Sequence, residues 1–288
     1  MIIGITGVTG FIGSRVAAHC GRHGHKIVSF SRRPVAGARL LRLGAPPDLS
    51  GLDAVVNLAG EPILGLWTEE KKRRIRESRI LGTRRIVEAI EAMAGRPRVL
   101  VNASAIGYYG DTGETLVDES SAAGGGFLAD VCREWESEAV RAESFGVRVV
   151  FVRIGFVIGS GGALKLMRPV FKMGLGGKLG SGRQWMSGVH VDDVAGIAVW
   201  AVESDTVRGP VNAVMPEPFR HSHFTKALTK CFGRPALIPA PAFVLRLTLG
   251  ELSHTMLDSA RVAPRVAQEG GYTYQFSTLP LALADAAR

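Results

Sequence analysis

The chain has 288 residues, of which 46% are hydrophobic and 21% charged, a balance that excludes a disordered polar chain and allows a large core without disulfides or metal. A net charge of +9 favours an anionic partner. No nucleic-acid-binding motif accompanies that charge, and no apolar run reaches bilayer-spanning length, so neither nucleic acid nor membrane is expected as a partner.

Residues 2–6 form a short apolar run that ends in a glycine-rich turn, and residues 14–22 read as a helix. A second strand is expected over 25–31 and a third over 53–58, ending at Ala59-Gly60. Helical periodicity covers 68–93, with a bend expected near Gly82. This helix carries the basic run Lys71-Lys72-Arg73-Arg74 and Arg76. A strand over 98–104, a helix over 127–145 and a β-branched strand over 147–154 follow. Strands alternating with helices mean βαβ units and a parallel sheet. Right-handed crossovers align the strand C-termini along one edge, where ligands bind.

Beyond Gly159 the rhythm changes. Gly, Lys and Arg dominate residues 159–188, prolines punctuate the remainder, and short helices are expected over 192–202, 222–231 and 241–252. The expected fold is therefore α/β, a Rossmann-type doubly wound parallel sheet over residues 1–158. A smaller C-terminal substrate-side lobe spans 159–288, with some later segments returning to the sheet. Cys20, Cys132 and Cys231 are scattered and form no CxxC or Cys/His cluster. That fits a reducing compartment and points to no metal site. The chain starts directly in a strand pattern, so a cytoplasmic location is expected.

The turn after the first strand reads Thr6-Gly7-Val8-Thr9-Gly10-Phe11-Ile12-Gly13. Gly7 allows the tight turn, Gly10 lets backbone approach a pyrophosphate, and Gly13 lets the helix pack closely on the strand. The free N–H groups of the helix start favour an anion. The second strand ends in Ser31-Arg32-Arg33, with no acid to bind a ribose 2′-hydroxyl. Arginine grips a 2′-phosphate through planar, charge-assisted hydrogen bonds, so NADP(H) is expected in preference to NAD(H). Leu58, Ala59 and Gly60 are small enough to run beside the adenine and ribose.

These features, with Trp67, Ser78-Arg79, Gly82-Thr83, residues 104–110 (SAIGYYG), Trp135-Glu136, residues 174–184 (GLGGKLGSGRQ), His190-Val191-Asp192-Asp193 and Gly250-Glu251, resemble the extended and atypical branches of the short-chain dehydrogenase/reductase superfamily. Within it the chain is similar to the nucleoside-diphosphate-sugar epimerase-like group, some of whose members are labelled cell-division inhibitors. The resemblance implies a catalytic Ser at Ser104 and a Tyr-x-x-x-Lys pair on the next helix. Leu128 and Cys132 occupy those two positions. Leucine cannot exchange a proton, and cysteine cannot supply the fixed charge that holds a ribose and lowers a tyrosine pKa.

Tyr108 and Tyr109 are the candidate replacements as proton donor, with Ser104 orienting a substrate oxygen or capping its strand. By resemblance Arg79 faces the cofactor cleft, and Gly155, Phe156 and Val157 pass near the nicotinamide. Lys165, Arg168, Lys172, Lys178, Arg183 and Gln184 surround a run of glycines, a cradle suited to a small anionic substrate. His190 is a further candidate at the substrate, with Asp192 and Asp193 capping the helix that follows. Similar proteins carry a Trp where this chain has Gly188. Two functions are expected to compete: an NADP(H)-dependent oxidoreductase or epimerase, and a catalytically silent NADP(H)-bound sensor or interaction protein. A monomer is compatible with the sequence, as is a homodimer through the helices over 68–93 and 127–145.

Overall fold

A computed structural model describes residues 1–32, 34–235 and 238–287. The first half runs β1 (Ile2–Thr6), α1 (Phe11–Arg22), β2 (Lys26–Ser31), β3 (Ala38–Leu40), β4 (Ala54–Asn57), α2 (Glu69–Ala92), β5 (Val99–Ala105), α3 (Phe127–Val140) and β6 (Arg148–Ile154). The second half runs β7 (Phe156–Ile158), α4 (Gly162–Lys172), β8 (Trp185–Met186), β9 (Gly188–His190), α5 (Val191–Glu203), β10 (Gly209–Ala213), β11 (Phe219–Arg220), α6 (His221–Phe232), α7 (Ala242–Leu249), α8 (His254–Leu257), α9 (Arg265–Glu269) and α10 (Leu279–Ala286).

Among the described residues the main sheet has seven strands in the order β10-β6-β5-β4-β1-β2-β3, and every pairing in it is parallel. The strand order reverses between β1 and β4, the switch point at which doubly wound sheets open a ligand crevice. Successive residues of each strand face opposite layers. Val56, Val101, Val150 and Val152 pack with Val16 of α1 and Ile197 of α5. Val55, Leu100, Val149 and Phe151 pack with Ile86, Val87 and Ile90 of α2 and Ala139 of α3. Coverage on both faces explains why the inner strands are continuous apolar runs.

Thr68 caps α2, its hydroxyl accepting from the Lys71 N–H (3.2 Å). Glu69 and Glu70 sit in the first turn, where the helix dipole favours them. The helix then runs unbroken through Gly82 to Ala92, and a side chain at Gly82 would meet only the Leu43 side chain, 3.7 Å away. Its basic run is locally matched. Lys71 and Arg74 reach Glu61, Arg73 reaches Glu70 and Glu77, Lys72 reaches Glu69 and Glu251, and Arg76 reaches Glu134.

The C-terminal lobe has its own core. Ile158, Leu164, Phe171, Met215, Phe219, Phe224, Leu228, Leu279 and Leu283 are buried together. A side chain at Gly188 would lie 2.9 Å from the Phe219 ring, so Phe219 fills the space beside that position. His221 is buried at the start of α6, and burial depresses its pKa to about 4 from the usual 6.5. The sign is fixed: a neutral buried histidine stabilises fully above pH 6.5, and that contribution is lost as pH falls towards 4, up to about 3 kcal/mol. The urea midpoint of the wild type is expected to fall over that window, and His221→Asn is expected to flatten part of the fall.

Candidate active site

The turn after β1 is shaped by three glycines. Gly7 has φ +70°, and a Cβ there would lie 2.9 Å from the Leu58 carbonyl oxygen. A Cβ at Gly13 would fall 2.1 Å from the Gly7 carbonyl oxygen, which is why β1 and α1 can meet so closely. The Gly10 N–H donates to the Gly7 carbonyl (2.9 Å), and Gly10 caps α1 without a side-chain hydrogen bond. The first N–H groups of α1 therefore keep their donors for an anion. Thr9 is exposed at the tip of the turn, and the Phe11 ring lies under residues 159–162, where a Cβ at Gly161 would be 2.5 Å from it. Ile12 packs against the core beneath α1.

The floor of the crevice is a buried polar network. Thr6 Oγ1 donates to Asn57 Oδ1 (2.7 Å) and accepts from the Leu58 and Ala59 N–H groups (3.0 and 3.1 Å). Asn57 Nδ2 donates to Thr83 Oγ1 (2.9 Å) and Asn102 Oδ1 (2.7 Å), and the Trp135 indole N–H donates to Thr83 (2.8 Å). Three strands and two helices are thereby tied together. At the end of β2, Ser31 is half-buried and Arg32 exposed. Arg32 lies near Glu61, whose carboxyl is held below its usual range first by the Lys71 hydrogen bond and by Arg32 among others. Arg33 lies outside the described residues.

Arg79 of α2 spans the crevice wall. Its Nη1 donates to the Glu61 and Ile75 carbonyls (3.0 and 3.1 Å). Its Cζ lies 5.2 Å from the Trp135 ring, and a Cβ at Gly60 would be only 3.1 Å from it. Burial lowers its pKa.

Beside it lies a buried charge network. Ser104 Oγ donates to Glu136 Oε1 (2.6 Å), and Arg153 grips Glu136 through Nε and Nη2 (2.9 and 2.8 Å). Arg153 Nη1 also donates to Tyr109 Oη (2.9 Å), and Tyr109 Oη donates to Asn212 Oδ1 (2.8 Å). The Arg153 guanidinium lies 3.5 Å from the Tyr108 ring centre, a cation–π contact. Burial opposes the Arg153 charge, but the Glu136 hydrogen bond and carboxylate raise its pKa on balance. Burial pushes the Tyr109 pKa up to about 12, against the pull of Arg153. Cys132 is buried, with its thiol pushed up to about 11 by burial and then by Glu136. Its Sγ donates to the Ala105 carbonyl (3.7 Å).

The model of the NAD dependent epimerase/dehydratase family matches residues 3–213. This chain belongs to that family. A second model, of a domain of unknown function, matches residues 240–286. Among relatives of this epimerase/dehydratase chain, the Arabidopsis thaliana protein named as an SDR39U1 homolog, chloroplastic, is 37% identical over 298 residues, covering 98% of this chain and 86% of its own length. The crystal structure of human epimerase family protein SDR39U1 (isoform 2) with NADPH superposes with a TM-score of 0.95 at 33% identity, covering 100% of this chain and 99% of that one. That of the nucleoside-diphosphate sugar epimerase from Corynebacterium glutamicum gives a TM-score of 0.84 at 31% identity, covering 100% of this chain and 58% of that one.

In this epimerase-family chain several residues sit differently from the sequence expectation. Tyr109 is 4% exposed and its hydroxyl is engaged on both sides, so it cannot present a proton to a substrate without breaking that network. The Tyr108 side chain is half-buried beside it. Gln184 is buried, and its amide donates to the Leu179 and Met256 carbonyls (3.1 and 3.0 Å). It ties its loop to α8. His190 is fully buried, its Nδ1 accepting from the Asp192 N–H (3.2 Å) as the cap of α5. Its Nε2 lies 3.2 Å from Asp285. Asp193, expected as a cap, instead accepts from the Gln275 and Phe276 N–H groups (2.8 and 3.0 Å).

Lys165 and Lys172 are exposed on α4, and Arg183 is exposed before β8. Arg168 donates to the Ala287 carbonyl (2.5 Å), and Lys178 folds over Gly182. Gly155 is required by close approach: a Cβ there would lie 2.5 Å from the Ser187 carbonyl oxygen. Phe156 packs edge-on against Phe224, and Val157 continues β7 beside it.

The Glu136–Arg153 pair is the feature that sequence reasoning missed. The available signal was Arg153, an arginine that follows four apolar residues inside β6.

Proposed function

We propose that the chain binds NADP(H) along the crevice between β1 and β4. We further propose that it acts as an epimerase/dehydratase-like oxidoreductase on a small anionic substrate of the nucleotide-sugar kind. The observation that carries this reading is the N-terminus of α1, free of a side-chain cap behind Gly7, Gly10 and Gly13, with Arg32 and no acid at the end of β2. The human relative crystallised with NADPH and the relative described as a nucleoside-diphosphate sugar epimerase support the same direction.

Residues 7–13 would hold the pyrophosphate through backbone N–H groups, Arg32 the 2′-phosphate, and Leu58, Ala59 and Gly60 the adenine-side ribose. Gly155, Phe156 and Val157 would border the reactive end. When bound, the nicotinamide supplies a hydride donor or acceptor. Ser104 spends its proton on Glu136, so towards a substrate it offers lone pairs and would accept from a hydroxyl. Tyr108 is the remaining hydroxyl of the pair for proton donation. Lys165 and Arg183 would attract the anionic group.

A silent, cofactor-bound sensor is the second reading. It is favoured by Leu128 and Cys132 at the Tyr and Lys positions, together with the internal engagement of Tyr109.

The test is a titration of cofactor-stripped protein with NADPH and NADH, read by nicotinamide fluorescence, then a panel of carbonyl compounds and nucleotide sugars on the complex. NADPH is expected to bind at least about tenfold more tightly than NADH, and Arg32→Glu to remove that preference. An unchanged preference would refute the 2′-phosphate assignment. Turnover that survives Tyr108→Phe intact would remove Tyr108 from the chemistry. Tight binding with no reaction across the panel would favour the sensor.

A further inference from the structure

Three observations converge on Arg79. First, it is a half-buried cation that, among the described residues, has no carboxylate within ion-pair distance and hydrogen-bonds to protein only through Nη1, to two carbonyls. Nε and Nη2 keep their protons for another acceptor. A guanidinium placed this way costs desolvation that two carbonyls recover only in part, which points to a ligand that completes its shell.

Second, it does not stand at the phosphate turn: it bridges from the segment after β4 to α3, the helix that carries position 132. The guanidinium lies against Gly60, just after β4, and over Trp135 of α3, which follows β5. Trp135 stands three residues after Cys132, on the same helix face. The Cys132 Sγ reaches the Ala105 carbonyl, next in the chain to Ser104.

Third, Cys132 stands where the resembling enzymes carry the lysine of Tyr-x-x-x-Lys, and its side chain is neutral and turned onto the Ala105 carbonyl. The space that a long cationic side chain from α3 would enter is approached by a cation from α2.

We infer that Arg79 supplies, from α2, the fixed positive charge that this fold otherwise draws from position 132 on α3, and that Nε and Nη2 hold the nicotinamide-side ribose of the cofactor. This rests on the proposed NADP(H) site and assigns Arg79 to one half of it. Arginine suits the exchange: its planar fork donates to two hydroxyl oxygens at once and keeps its charge when desolvated.

The experiment compares two ligands by calorimetry on the purified full-length protein: NADPH, and adenosine 2′,5′-bisphosphate, which carries the adenine half with its phosphates and lacks the nicotinamide half. Arg79→Ala is expected to weaken NADPH about 10- to 100-fold and to leave the bisphosphate unchanged, which also serves as the folding control. Adding Cys132→Lys to Arg79→Ala is expected to restore most of the lost affinity. Equal weakening of both ligands would overturn the inference, because Arg79 would then act on the adenine half or on the fold. Unchanged affinity for both would also overturn it. So would a double variant that binds the bisphosphate normally and recovers nothing for NADPH. Wild-type protein that binds neither ligand would refute the cofactor site itself, a result distinct from each of these.

Discussion

Arg153→Met is expected to lower the free energy of unfolding by about 3–5 kcal/mol, because it leaves the Glu136 carboxylate buried without its partner. The Glu136 and Arg153 side chains are 10% and 4% exposed, so water cannot replace the lost donors. The same change strips a donor from Tyr109 and the cation from the face of Tyr108. Glu136→Gln combined with Arg153→Met is expected to be more stable than Arg153→Met alone, since a neutral amide tolerates burial and still accepts from Ser104. Urea unfolding of the four proteins of this cycle measures the coupling. A single-variant loss below about 1 kcal/mol would show that the pair contributes no more than an exposed ion pair.

Gly13→Ala is expected to have the largest effect on nucleotide binding of any single methyl group added to the chain. The new Cβ would sit 2.1 Å from the Gly7 carbonyl oxygen and 3.0 Å from the Val8 Cα. Both are backbone atoms, so α1 must shift away from β1 and carry its N–H groups with it. A displacement near 1 Å at an anion site removes the alignment of several donors together. NADPH affinity is expected to fall at least about 100-fold, or about 2.7 kcal/mol. Gly21→Ala in the same helix is the control, because nothing lies within 4 Å of a Cβ there. Equal affinity of the two variants would mean that the turn does not position a ligand.

The Rossmann half was legible because its signals are local. Apolar runs, the glycine spacing and helical periodicity each sit within about twenty residues, and the observed ends differ from the expected ones by few positions. The helix expected over 127–145 is α3 followed by a 3-10 turn, Arg141–Phe145. The edge strand β3 was not legible, since three half-exposed residues carry no period. Nor was α4: Gly159 and Gly161 precede it and Gly162 opens it, and they read as loop because their reason lies elsewhere, in the Phe11 ring that they wrap. At the site, Ser104 was identifiable by position. Its partner Glu136 is 32 residues away and Arg153 a further 17, distances over which no periodicity speaks. The roles of Gln184, His190 and Tyr109 followed from burial, which residue type alone does not reveal.

The return of residues 191–213 to the sheet has a consequence for synthesis. β10 covers the outer edge of β6, α5 lies on α1, and Arg148 ties the two together by donating to the Ala201 and Val207 carbonyls (2.9 and 2.6 Å). The 55 residues from Ile154 to Gly209 take roughly 3–11 s to add at ribosomal speed. Throughout that interval β6 presents an unpaired strand edge, and Val16 and Cys20 of α1 lack the helix that covers them. The edge of β6 is therefore open to mispairing until β10 is made, and Ile158, Leu164 and Phe171 stay uncovered beyond that point, until residues 215–283 complete the second core.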